Sequence, residues 1–193
     1  HWLLCRADGR PTRAGWTWGA LGMALDLTHP QALDYTRQVI HTAVHEWGYP
    51  YLKLDFLYAA ALPCRYQDPT RTRAQVLRQG MQTIRQAAGP DTFILGCGLP
   101  LGSALGLVQG MRIGADVSGD YYPNIYGVKL GLKEEPAVPC LRNAVRNTLN
   151  RAALHGRWWL NDPDCLLTRP DTKLTVDEVR SWATLIYMSG GML

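Results

Sequence analysis

Four short apolar runs stand out along the chain, at residues 51–57, 92–98, 111–117 and 158–162, each read as a buried strand. Two weaker runs, residues 22–27 and 185–189, are read the same way. Between them the apolar positions recur at helical period. A long amphipathic helix is expected from near Pro30, with Thr28 in front of it and a proline in the first turn, where the missing N–H costs nothing; it carries on through His45 and stops at Gly48. Asp68-Pro69 opens a second helix, through Arg73, Val76, Leu77, Met81 and Ile84, ending at Gly89-Pro90. A third runs from about Leu141 to His155 and halts at Gly156. The fourth opens at Thr175, with Glu178 three residues on completing a capping box.

Strands alternating with helices, the strands apolar enough to be covered from outside, predict a parallel α/β architecture. No glycine-rich phosphate loop follows any strand; Gly96-Cys97-Gly98 has the wrong spacing for one. Polar residues recur instead at the C-terminal ends of successive strands, where a (β/α)8 TIM barrel builds its active site. The expectation is one partial barrel domain over residues 1–193, with no internal boundary.

Strand parity then selects residues. In Tyr51-Leu52-Lys53-Leu54-Asp55-Phe56 the two-residue period puts Lys53 and Asp55 on one face and Leu52, Leu54 and Phe56 on the other. If the apolar face meets the helices, Lys53 and Asp55 point inward, and burial favours holding the two ionised together. A carboxylate kept ionised beside a lysine can act as a nucleophile. Residues 111–117 repeat the arrangement, with Arg112, Gly114 and Asp116 on one face and Gly114 leaving room between the charges. Two such aspartates at strand ends can converge across a sugar ring, one attacking carbon and the other handling the leaving group's proton. Each pair taken singly reads equally well as an interior salt bridge that fills the barrel. Both at strand ends of the same polarity tilt the reading toward chemistry.

Composition narrows the field. The 193 residues are 47% hydrophobic, enough for a sizeable core. The formal charge of +4 is scattered, with no basic run, so nucleic acid is not an expected partner. No apolar stretch has the length of a membrane span, and no membrane association is expected. Five cysteines, Cys5, Cys64, Cys97, Cys140 and Cys165, are odd in number and never form C-x-x-C, which favours reduced thiols in a cytoplasmic protein over a disulfide framework or a zinc site. No metal or other cofactor is expected. The opening on His1 and the closing Ser189-Gly190-Gly191-Met192-Leu193 are read as cuts through a larger protein.

Taken together and in order, Leu25-Asp26-Leu27-Thr28-His29-Pro30, Tyr51-Leu52-Lys53-Leu54-Asp55-Phe56, Leu95-Gly96-Cys97-Gly98, Met111-Arg112-Ile113-Gly114-Ala115-Asp116 and Trp159-Leu160-Asn161-Asp162-Pro163-Asp164 resemble the α-galactosidases of glycoside hydrolase family 36 over nearly the whole chain. The resemblance implies a retaining enzyme for terminal α-galactosides of oligosaccharides or glycoconjugates. Asp55, in a K-x-D motif on the fourth strand, would be the nucleophile. Asp116, in an R-x-x-x-D motif on the sixth, would be the general acid/base, carrying the proton while Asp55 stays ionised. Lys53 and Arg112 match cations that bind sugar hydroxyls, and Cys97 matches a fifth-strand cysteine lining the sugar pocket. Asn161, Asp162 and Asp164 resemble supporting residues behind the site, capping and orienting, at the end of the seventh strand. Asp26 is expected to organise the start of the first helix. Trp16 and Trp18 are read either as a stacking platform for sugar or as core, and Tyr121 and Tyr122 as rim residues of the same kind. By this count the first two strands lie outside the chain, and with them the family's aspartate pair that reads O4 and O6 of galactose. α-N-acetylgalactosaminidase, a raffinose-synthase-like transferase and a noncatalytic sugar-binding barrel therefore stay open as alternatives, as does a homo-oligomer.

Overall fold

The computed structural model describes residues 2–17, 20–125, 128–129 and 135–192. They fall into two compact units, His1–Val108 and Gln109–Leu193.

The first unit opens on an antiparallel hairpin of β1 (Arg13–Thr17) and β2 (Ala20–Met23). The chain on either side continues the ladder: Leu3 bridges Leu25, the Leu4 amide donates to the Ala24 carbonyl at 2.8 Å, and the Asp26 amide donates to the Trp2 carbonyl at 2.8 Å. The weak run at 22–27 is thus antiparallel, which corrects the parallel strand expected there. β1 and β2 are too close in sequence for the crossover connection that a parallel pair needs.

α1 (Pro30–His41) follows, capped by His29, whose Nδ1 accepts from the Gln31 amide at 3.2 Å. Thr28 is not the cap, because its hydroxyl donates to Asp26 Oδ1 at 2.6 Å. The helix passes into a π-helical turn, Thr42–Glu46, and ends before Gly48, where φ is 75°. α2 (Arg73–Ala88) starts four residues later than its predicted opening. The Asp68 carboxylate is engaged by Thr70 and Arg71, so capping passes to Thr72 and Gln75, a reciprocal capping box. α1 and α2 pack together. On α2, a Cβ at Gly80 would sit 2.3 Å from Leu27 Cδ1, so glycine is what lets Leu27 seat on the helix.

β3 (Tyr51–Leu54) and β4 (Phe93–Gly96) run parallel in the register Tyr51↔Phe93 to Leu54↔Gly96, and the Tyr51 and Phe93 rings stack across it at 5.2 Å. Val76, Leu77, Met81 and Ile84 of α2 are buried, as are Ile94 and Leu95 of β4.

In the second unit come β5 (Gly110–Arg112), a short antiparallel pair β6 (Asn124–Ile125) and β7 (Val128–Lys129), and β8 (Leu160–Asp162), which runs parallel to β5. α3 (Leu141–Arg151) is capped by Cys140, whose Sγ accepts from the Asn143 amide at 3.4 Å; burial pushes that thiol's pKa up. α4 (Val176–Ser189) begins with the predicted Thr175–Glu178 box, the Glu178 amide donating to Thr175 Oγ1 at 3.2 Å. Residues 185–189 are its last turn, which corrects the strand expected there. Trp182 and Ile186 are buried four residues apart, a helical spacing, and Gly190 at φ 70° stops the helix. Val117, Leu141, Ala144, Leu167, Trp182 and Ile186 form one core cluster.

The strands are shorter than the apolar runs, since β3 ends at Leu54 and β5 at Arg112. Asp55 and Asp116 therefore lie beyond the strands. No helix among the described residues is long and apolar enough to cross a membrane.

Candidate active site at the strand ends

In the first unit, Asp55 immediately follows β3, and Cys97 immediately follows β4. The register carries on past the strands, with the Cys97 amide donating to the Leu54 carbonyl at 2.8 Å. These two residues come off neighbouring parallel strands side by side, Cys97 buried and Asp55 exposed. Asp55 Oδ1 accepts from the amide of Phe56 at 2.7 Å. Phe56 is in the left-handed region, φ 54°, a conformation that costs a bulky residue about 1–2 kcal/mol. The kink is held from across the pair: the Tyr58 amide donates to the Gly98 carbonyl at 2.7 Å, and a Cβ at Gly98 would lie 3.3 Å from both the Cα and the N of Phe56. The Tyr58 hydroxyl donates to the Ala14 carbonyl of β1. An otherwise unfavourable backbone turn is thus over-determined at the residue after the candidate nucleophile.

The two-residue alternation holds within β3, Tyr51–Leu54, but the expected burial of its charged face does not. Lys53 and Asp55 alternate with the half-buried Leu52 and Leu54, yet both charged residues are exposed, and no ion pair joins them among the described residues. Phe56, assigned by parity to the apolar face, is also exposed, because β3 and its alternation end at Leu54 and Phe56 itself is left-handed.

In the second unit the cation is the buried partner. The Arg112 side chain is 4% exposed and faces three carboxylates: Asp116 Oδ1 at 3.2 Å from Nη2, Asp164 Oδ1 paired with the same Nη2, and Asp162 Oδ2 at 4.0 Å from Nε. The Asp116 side chain, by contrast, is 71% exposed. One positive charge is set against three negative ones, with only the outermost open to solvent. Asp162 Oδ1 accepts from the Asp164 amide at 2.8 Å, and Asp164 Oδ2 accepts from the Val117 amide at 2.8 Å. Asp116 meets Arg112 through a bend beyond β5, not through strand alternation. Gly114 does not leave room beside the charges: a Cβ there would lie 3.0 Å from the Asn147 Cβ, so the space belongs to α3.

Asn161 faces the other way. It is buried, its amide side chain donating to the Arg151 carbonyl at 2.9 Å and accepting from Trp159 Nε1 at 3.1 Å. Arg151 donates to the Ile113 carbonyl and to Asn147 Oδ1, and burial pushes its pKa down. Sequence reasoning missed Phe56, Gly98, Asn147 and Arg151. Gly98 carried a signal in Gly96-Cys97-Gly98, and Asn147 and Arg151 stand one helical turn apart; Phe56 carried none.

Asp26 is buried and holds a turn: Oδ1 accepts from the Thr28 amide and hydroxyl, and Oδ2 accepts from the Gln67 amide at 2.7 Å. Tyr121 and Tyr122 are exposed and meet edge to face at 4.9 Å. Trp16 lies in β1 opposite Leu21, its side chain outside the described set, as is the whole of Trp18. Among the described residues no group of three or more His, Cys, Asp or Glu could hold a metal ion.

No family model matches the chain. Among solved structures it is similar to an α-galactosidase from Thermus thermophilus in complex with p-nitrophenyl α-D-galactopyranoside, at 36% identity over 98% of this chain and 37% of that one, with a TM-score of 0.81. The Thermus thermophilus α-galactosidase in complex with stachyose gives 36% identity over 98% of this chain and 39% of that one, with a TM-score of 0.78. α-Galactosidase I from Mortierella vinacea is similar in fold, at 17% identity over 93% of this chain and 44% of that one and a TM-score of 0.61. The chain spans less than two fifths of the two Thermus chains. It has an α/β fold of the α-galactosidase type.

Proposed function

We propose that this chain is the central part of the catalytic (β/α)8 barrel of a retaining α-galactosidase, one partial domain of the family 36 type. The observation that carries the reading is the placing of two carboxylates just past parallel strands in a chain 36% identical to an α-galactosidase that binds an aryl α-galactoside and stachyose.

In the first half of the reaction Asp55 attacks the anomeric carbon while Asp116 gives its proton to the departing oxygen, leaving a covalent glycosyl-enzyme. In the second, Asp116 takes a proton from water as that water displaces Asp55, so the anomeric configuration is retained. The mechanism asks for carboxyl groups about 5–5.5 Å apart. Exposure of Asp55 suits it, because the attacking oxygen has to reach the sugar while the other oxygen is held by Phe56. Lys53, Arg112 and Cys97 are assigned to sugar binding, and Asn161, Asp162 and Asp164 to support behind it. The substrates proposed are terminal α-galactosides of oligosaccharides, and a cytoplasmic location belongs to the same proposal.

In the full-length protein, Asp55→Asn is expected to abolish hydrolysis of an aryl α-galactoside that the wild type cleaves. An active Asp55→Asn variant would overturn the assignment. A wild-type protein that binds galactose but turns over no α-glycoside would make the barrel a noncatalytic sugar binder.

A further inference from the structure

Asp164 is one of two non-glycine residues among those described with a positive φ, at 84°, and it follows Pro163 two residues beyond β8. Aspartate tolerates that region better than most side chains. Here the turn, braced by the Asp164 amide on Asp162 Oδ1, aims a carboxylate 15% exposed back at β5. Its two oxygens do different work. Oδ1 pairs with Arg112 Nη2, the same nitrogen that holds Asp116 Oδ1 at 3.2 Å. Oδ2 accepts from the amide of Val117, the residue directly after Asp116, at 2.8 Å. One side chain therefore grips Asp116 from both sides, through the cation in front of its carboxylate and through the backbone behind it.

We propose that Asp164 is a positioning residue for Asp116, setting the direction in which Asp116 delivers and takes its proton, and not simply a cap on the loop after β8. The inference rests on the reading of Asp116 as general acid/base. Without Asp164, Arg112 can turn its full donor fork onto Asp116, and the Val117 amide loses its anchor. Proton transfer should then suffer more than nucleophilic attack.

The test compares leaving groups in the full-length protein. A dinitrophenyl α-galactoside departs without a proton, whereas a methyl α-galactoside needs one. For Asp164→Asn we expect kcat/KM to fall on the order of 10²-fold for the methyl substrate, within the range general acid catalysis contributes, and less than about 10-fold for the dinitrophenyl one. Asp164→Glu, which keeps the charge but displaces it by one methylene, should show the same selectivity at smaller size, and thermal melting verifies that both variants fold. Equal losses on the two substrates, or no loss on either, would overturn the proposal while leaving the reaction assignment standing. A wild type inactive on both substrates would instead overturn the assignment, and this inference with it.

Discussion

Asp55 and Asp116 both follow a parallel strand, yet the two units hold them by different physics. Around Asp55 the control is in the backbone: a left-handed Phe56 whose amide binds the carboxylate, held by Gly98 approaching from the next strand, with Lys53 exposed nearby and in no ion pair with Asp55. Around Asp116 the control is electrostatic: a buried guanidinium shared among three carboxylates, only one of them largely exposed. Backbone hydrogen bonding fixes a group's direction while leaving it accessible. A buried ion cluster fixes direction too, but ties the group to the stability of everything around it. The division suits the proposed roles, since a nucleophile has to reach carbon and a proton carrier has to be aimed.

The largest expected effect on folding comes from the second unit. Arg112→Leu strands the partly buried Asp162 and Asp164 without their cation, and chemical denaturation of the full-length protein should show a loss of about 3–5 kcal/mol. Lys53→Leu, the matching change beside Asp55, should stay within about 0.5 kcal/mol in the same measurement. Comparable losses would erase the distinction. Between these extremes lies Gly98→Ala, where a side chain at φ 57° facing Phe56 at 3.3 Å should cost about 1–2 kcal/mol and lower kcat. Unchanged kcat in that variant would mean that the Phe56 kink does not set Asp55.

The helices were legible where polar ends and apolar period agree: α4 begins at its predicted cap, and α3 at Leu141. α2 was displaced because Asp68 spends its carboxylate on neighbours, a local competition invisible in residue type alone. The run at 185–189 is apolar enough for either structure, and the helix won because Trp182 and Ile186 share one buried face of it. Of the site, strand parity found that Lys53 and Asp55 alternate with the half-buried Leu52 and Leu54, though no ion pair joins them among the described residues. It did not find that the strands stop before the acids, nor that Asp164 reaches across to Arg112, since a contact between residues 52 positions apart has no local signature. Phe56 was equally illegible, because its conformation is imposed by Gly98 and Tyr58 rather than chosen by phenylalanine.

The central claim is that Asp55 attacks carbon, and covalent trapping reads it directly. The full-length protein is incubated with a fluorinated galactosyl fluoride that forms the glycosyl-enzyme faster than it hydrolyses, then digested, and the labelled peptide is sequenced by mass spectrometry. The label is predicted on Asp55, in the peptide containing Tyr51 to Phe56. A label on Asp116 or on any other residue would contradict the account.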